Sequence, residues 1–209
     1  MSAGRSAATG GRRRRRSPEV AEQEIIAAAE ALLRERPFRE LTVDEVMRRT
    51  DLSRPSFYVY FRDRHHLVLK VVERLTAESA DVAEIWLQSE GPSGVDLIRE
   101  ATKGVVDVFA RHGAVLQALA DAAADDPEVE LAHYASLNYF IDAIAKHIER
   151  EVAAGNMLPC NPYETARALA HMNNRYLTAV LGRDPQVEPE VVVDTICTIW
   201  IRTLYGAQP

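Results

Sequence analysis

Residues 41–67 read LTVDEVMRRTDLSRPSFYVYFRDRHHL, and this stretch decides the fold. Thr42 is placed to cap a helix, and Glu45 three residues on completes an S/T-x-x-E capping box. The helix from Val43 to Thr50 puts Val43, Val46 and Met47 on one side, the spacing of a buried face. Asp51-Leu52 then reads as a turn. Ser53 stands where an N-cap belongs, with Pro55 in the first helical turn, where its missing N–H costs nothing. The second helix, Arg54 to Phe61, is short and aromatic. Phe57 and Phe61 share a face and dock inward, while Tyr58 and Tyr60 lie elsewhere on the helix. A helix this short is not stable alone in water, so its neighbours must hold it and present it outward. That is a helix-turn-helix, whose second helix enters a major groove. Arg54 and Ser56, at the start of that helix, are the candidates for base-edge or phosphate contact, and the extra aromatics suit phosphates or thymine methyls.

The pattern T-V-x-E-V, then L-S-x-P-S-F-Y-x-Y-F, then x-x-x-x-L ending at Leu67, resembles the DNA-binding region of the TetR family of bacterial transcriptional regulators. The sequence departs from that pattern where Ala-x-x-Ala-Gly is usual and Met47-Arg48-Arg49-Thr50-Asp51 stands instead. A left-handed turn residue would then fall on Asp51, which tolerates it better than most. Arg64 replaces a usual Lys, and His65 a usual acidic residue. Together with the resemblance, the reading assigns DNA contact to Thr42, Arg48, Arg49, Ser53, Arg54, Pro55, Ser56, Tyr58, Tyr60, Arg64 and His66.

A chain of 209 residues with 47% hydrophobic content can bury a sizeable core, and no apolar run reaches the length of a membrane span. The net charge of −6 argues against nucleic acid until it is divided. Residues 1–70 hold 15 Lys/Arg against 10 Asp/Glu, and residues 71–209 hold 10 against 21, so a basic head sits on an acidic body. The two cysteines, Cys160 and Cys197, form no C-x-x-C or metal spacing, which suits a reduced cytoplasm and two small buried hydrophobes. Arg12 to Arg16 is followed by Ser17-Pro18-Glu19 rather than an apolar stretch, so it is not read as a secretory signal. Residues 1–17 read as a disordered basic arm, either adding phosphate or minor-groove contacts or merely solubilising.

The rest of the chain is helical in pattern, giving an all-α fold. Pro18 to Arg36 completes a three-helix unit over residues 18–65, and Asp63 caps a long helix that links it to the remainder. Helices are then expected over Val95 to His112, Ala114 to Ala124, Pro127 to Ala154, Pro162 to Leu181 and Pro189 to Tyr205, with Gly113 read as a break. Broad apolar stripes and short connections make residues 66–209 an antiparallel bundle. The last helix is apolar nearly all round, which predicts burial on two sides, one of them by a second copy in a homodimer. In the helix before it, Asn173 sits mid-stripe among Ala166, Leu169, Ala170, Tyr176, Leu177 and Val180. A buried amide there needs a partner: a backbone carbonyl or a water, or a ligand in an apolar tunnel.

The whole chain also resembles one branch of the TetR family, the mycobacterial ethionamide-response repressors. The resemblance rests on S-R-P-S-F-Y-V-Y-F, on M-N-N-R-Y-L at Met172 to Leu177 and on I-W-I-R-T-L-Y-G at Ile199 to Gly206. It implies a narrow apolar tunnel with Asn173 as its polar handle and Trp200 near its end. Carried over by position, Val108, His112, Ser136, Tyr139, Asp142, Ala143, Met172 and Tyr176 complete the ligand-binding set. Val108, His112 and Asp142 replace aromatic or apolar residues, so a more polar and differently shaped tunnel is expected. Scattered histidines and the absence of H-E-x-x-H and G-x-S-x-G motifs give no catalytic set, no metal and no cofactor. The expectation is a homodimeric regulator that binds a double-stranded operator and answers to a small apolar effector, with no membrane partner. A constitutive architectural DNA-binder and, more remotely, a small helical enzyme are the alternatives. Steep salt dependence without an effector would mark the first, and turnover the second.

Overall fold

The computed structural model describes residues 17–90, 94–124, 126–182 and 185–206; the arginine run Arg12 to Arg16 lies outside them. Eight α-helices and one 3-10 turn make up the described residues, with no strand among them. Ser17 caps α1 (Pro18–Glu35), its hydroxyl accepting from the Val20 amide at 3.4 Å. Ile25, Ile26, Ala29, Leu32 and Leu33 form the buried stripe of α1 at helical spacing. Arg36, extended ahead of Pro37, ends it, and a 3-10 turn over Phe38–Glu40 leads into α2 (Val43–Arg48). Thr42 caps α2 from both sides: its oxygen accepts from the Glu45 amide at 3.3 Å, and its hydroxyl donates to the Glu45 carboxylate at 2.8 Å.

The turn into α3 (Arg54–Tyr60) is built differently from the expectation. No non-glycine residue among those described has a positive φ, so Asp51 is not left-handed. Side chains do the work that a left-handed residue would do. The Thr50 hydroxyl donates to the Met47 carbonyl at 2.9 Å and accepts from the Leu52 amide at 3.2 Å. The Asp51 amide donates to Glu24 on α1 at 2.9 Å. Phe57 and Phe61 are fully buried beneath α3, their rings 5.3 Å apart.

Asp63 caps α4 (Arg64–Leu87) through the His66 amide at 2.9 Å. This helix serves two cores. Leu67, Val68, Val71 and Leu75 pack with the head, and Trp86 packs with the body. The position between residues 65 and 66, expected to divide head from body, therefore falls at the start of a helix whose first three turns belong to the head's core.

Next, α5 (Gly94–Ala123) runs unbroken for 30 residues, so Gly113 is not a break. Gly113 is buried, and a Cβ there would lie 2.3 Å from the Leu181 carbonyl oxygen. The glycine is needed for close approach between helices, which a reading based on breakers cannot distinguish from a stop. The lower part of α5, including Val115, Leu119 and Ala122, closes the head's core from beneath.

The body is completed by α6 (Pro127–Ala153), α7 (Pro162–Leu181) and α8 (Pro189–Tyr205). Each starts with Pro in its first turn, and Asp126 and Asn161 cap α6 and α7. The inner face of α8 is buried through Val192, Val193, Ile196, Cys197, Trp200, Ile201 and Leu204. Its outer face carries Val191, Thr195 and Ile199, all exposed within the single chain. Gly206, at φ 65°, ends α8 in the left-handed conformation. Among the described residues no helix is long and apolar enough to cross a membrane.

Candidate nucleic-acid interface and interior cavity

The outer side of α3 is set by what its inner side buries. Val59 stands two residues beyond Phe57, about 200° around the helix, and is 75% exposed. Tyr58 beside it is 51% exposed, with the Arg54 guanidinium 5.6 Å above its ring. Arg54 also meets Asp44 of α2 at 2.5 Å, so the first turn of α3 is braced on the preceding helix. The Ser53 and Ser56 hydroxyls lie 2.8 Å apart, and the Ser53 side chain makes no cap bond. Thr42, Arg48 and Pro55 are exposed, and Tyr60 is half-buried.

Three other residues assigned to DNA contact are engaged by the protein itself. Arg49 grips both carboxylate oxygens of Glu35 on α1, and this hydrogen bonding holds the Glu35 carboxyl below the usual range. Arg64 lies over the Phe38 ring at 5.0 Å and donates to the Arg39 and Leu41 carbonyls, each at 3.2 Å. The His66 ring accepts from the Arg62 amide at 3.3 Å and sits edge-on to Phe61. Arg64 and His66 therefore tie α4 to the head, a role that position along the sequence does not reveal. Val59 was missed, although the burial of Phe57 was signal enough to place it outward.

Inside the body, α4 to α8 enclose a cavity of about 170 Å³. Its wall on α4 runs from Val72 to Leu87, about 22 Å along the helix axis. The lining is mainly aliphatic and aromatic, with Phe109, Leu116, Phe140 and Ile196 among it. Trp86 and Trp200 close one end edge-to-face, their rings 5.4 Å apart. The polar members are few, including Thr76, Thr102, His133, Ser136, Asn173, Asn174 and Thr178. The Trp200 indole N–H donates to the Asn173 carbonyl oxygen at 3.1 Å. That bond satisfies one side of the amide and orients it; the Nδ2 group makes no hydrogen bond to the described residues. Burial, then His171, pushes the His133 imidazole pKa down and favours its neutral form.

Of the ten residues assigned to the ligand, Ser136, Asn173 and Trp200 line this cavity. The others do not, and helix register explains why. On α6 the cavity face is Ser136, Leu137, Phe140 and Ile144, which leaves Tyr139 and Asp142 exposed and Ala143 off the wall. On α7 it is Ala170, Asn173, Asn174 and Leu177, so Met172 and Tyr176 fall to one side. A shift of one residue turns a side chain by about 100°. Val108 is buried off the wall on α5. Phe109, Phe140, Trp86 and Asn174 were missed, although Phe140 and Ile144 share the apolar stripe of α6.

His112 is a correction of another kind. It sits where α1, α4 and α5 meet, 3.4 Å from Glu78 and 3.9 Å from Glu30. The buried Glu30 carboxylate is held by Arg74, and Arg111 pairs with Glu78 at 2.7 Å. Burial pushes the His112 pKa down, with Glu78 opposing the shift and Arg74 adding to it. The group joins head to body and stays out of the cavity. Its partners lie on helices more than thirty residues away in sequence, so no local pattern announces them.

A trihelical head that exposes a short helix, joined by one continuous helix to a body with an interior cavity, defines a helix-turn-helix regulator. Residues 25–71 match the family described as bacterial regulatory proteins, tetR family, and residues 98–206 match the family described as transcriptional regulator EthR, C-terminal domain. The chain is 32% identical over 204 residues to the HTH-type transcriptional regulator EthR of Mycobacterium tuberculosis, with 94% of this chain and 93% of that protein covered. The EthR of Mycolicibacterium smegmatis is 30% identical over 204 residues, covering 96% of this chain and 93% of its own. The chain belongs to the TetR family of DNA-binding transcriptional regulators and carries an EthR-type C-terminal domain. Its fold is also that of Salmonella enterica GusR, with a TM-score of 0.74 at 16% identity over 89% of this chain and 96% of that one. A TetR-family regulator from Syntrophomonas wolfei gives 0.75 at 12% identity over 88% and 94%.

Proposed function

We propose that the protein is a repressor that binds a pseudo-palindromic operator as a homodimer and is released by a small apolar molecule held in the body cavity. Residues near 18–65 would contact DNA, and residues near 66–209 would sense and dimerise. One observation carries the reading: Leu75 and Leu119 line the cavity and are also members of the head's core. A molecule that displaces either side chain acts directly on the packing that orients α3. Coupling of about 1–3 kcal/mol between cavity and head is enough for a useful response. The open outer face of α8, with Val191 and Ile199 exposed, supports pairing with a second copy, and a twofold pair of heads suits successive major grooves. The aromatic and hydroxyl groups around Arg54, Ser56 and Tyr58 supply the chemistry for phosphates and base edges. The similarity to the mycobacterial EthR regulators and the EthR-type C-terminal domain support the same reading.

Asn173 is the polar group this account needs most. In Asn173→Ala, operator affinity stays within a factor of about three. The effector concentration that releases DNA rises about tenfold or more, the loss of one buried hydrogen bond of about 1–3 kcal/mol. Titrating effector against a labelled operator fragment measures both quantities. Equal loss of operator affinity and effector response would remove Asn173 from the binding role.

A further inference from the structure

At one seam the cavity wall is shared with a groove on the outside of the body. On the outside of the α4–α6 contact lies a groove whose sides carry Ala77, Ala80, Ala132 and Ala135. This groove and the interior cavity share Val72, Thr76 and Ser136. At the seam the Thr76 and Ser136 hydroxyls are 2.7 Å apart, and the Thr76 hydroxyl also lies 2.8 Å from the Val72 carbonyl. A carbonyl only accepts, so Thr76 donates to Val72 and Ser136 donates to Thr76. One hydroxyl–hydroxyl bond thus joins the two helices where hollow meets groove. Elsewhere large groups such as Phe109, Leu116 and Leu119 on α5 and Trp200 on α8 stand among small ones such as Ala101 and Ala170, and none of these is shared with the outer groove. The alanines beside the seam offer little to interlock, so a small separation of α4 from α6 opens it.

We infer that the α4–α6 seam is the portal through which the effector reaches the cavity, with the Thr76–Ser136 hydrogen bond as its latch. The inference rests on the reading of the cavity as the effector site. Apolar molecules gather first in the alanine groove, beside the exposed Tyr139, and pass between the helices when the hydroxyl pair parts. Resealing costs nothing chemically, because Thr76 keeps its bond to its own helix throughout.

The test is the double variant Thr76→Cys/Ser136→Cys in the full chain. Hydroxyl oxygens 2.7 Å apart place two sulfurs within reach of a disulfide, whose S–S bond is about 2 Å. Nile red, a neutral fluorophore that brightens in apolar surroundings, serves as the probe in stopped-flow mixing. The single variants under the same oxidant control for Cys160 and Cys197. In the reduced form the probe exchanges freely. In the oxidised form its association and dissociation rates both fall about tenfold or more, while its equilibrium affinity changes little, as expected when a gate is closed. Thr76→Val, which keeps the shape and removes the latch, speeds exchange severalfold. Unchanged rates in the oxidised form, with the probe still bound, would overturn the portal and leave the cavity reading standing. Failure of the parent protein to bind the probe in competition with other apolar molecules would overturn both.

Discussion

Phe57→Ala abolishes operator binding and lowers stability by about 3–5 kcal/mol, the cost of emptying a fully packed aromatic site. Phe57 is wholly buried, with the rings of Tyr58 and Phe61 each 5.3 Å from its own. As the main inward anchor of a seven-residue helix, it holds in place an element with no stability of its own. Its loss frees α3 and leaves Phe61 beside a void. The head's core continues into α4 and α5, so the damage reaches the packing of Leu75 and Leu119 as well. Thermal melting together with gel shifts checks this. Tyr58→Ala is the necessary comparison. Its ring is half in solvent, so stability stays within about 0.5 kcal/mol while operator affinity falls. Full operator affinity and an unchanged melt in Phe57→Ala would contradict the packing account.

Acid destabilises the body, and His147 is the main cause. This residue is 1% exposed, with its ring 4.2 Å from that of Trp86. Its Nδ1 lies 3.0 Å from the Leu87 carbonyl and 2.8 Å from Arg150, and its Nε2 is buried without a partner. Arg150 only donates, and it also holds the Leu87 and Ser89 carbonyls at 3.1 Å. Protonating the ring would set a second cation beside that guanidinium in a dry site. Burial first, and Arg150 second, push the pKa down to about 4. The unfolded chain, with a histidine near 6.5, binds the proton first, so unfolding takes up protons as pH falls. The stability due to neutral His147 is complete above pH 6.5 and is lost as pH drops from there to about 4. The loss is about 3 kcal/mol over that window. The downward shifts of His112 and His133 have the same sign and add to it. Urea melts across the window, on the parent and on His147→Gln, measure the slope. A variant that keeps the parent's full acid slope would remove His147 from the account.

How much of this was legible in the sequence depended on how local its cause was. The boundaries of α7 and α8, Pro162–Leu181 and Pro189–Tyr205, followed from first-turn prolines and a following Gly. The head followed from Thr42, Asp63, Pro55 and the Phe57–Phe61 spacing, all short-range signals. Gly113 was misread because a glycine that admits another helix looks like a glycine that ends one. The turn at Asp51 was misread because Thr50 replaces a left-handed residue with hydroxyl bonds. Within the cavity, Asn173 stood out as an amide in an apolar stripe, whereas Trp200 came only from the family resemblance; both line the wall. Their bond to each other, across 27 residues, was not predicted. Of the wall residues carried over by position, Ser136 lies on the cavity face, while neighbours such as Val108, Tyr139 and Ala143 lie off it, since one residue of register turns a side chain by about 100°.

The measurement closest to the central claim is a salt-controlled gel-shift series with the purified full chain. The targets are the DNA upstream of its own and neighbouring genes, with a random duplex as control, each with and without small apolar molecules. A specific ligand-responsive repressor retards one upstream fragment as a discrete complex that survives moderate salt and is released by a molecule occupying the cavity. Uniform weak retardation of every duplex that collapses with salt, with no molecule able to release it selectively, would contradict the account.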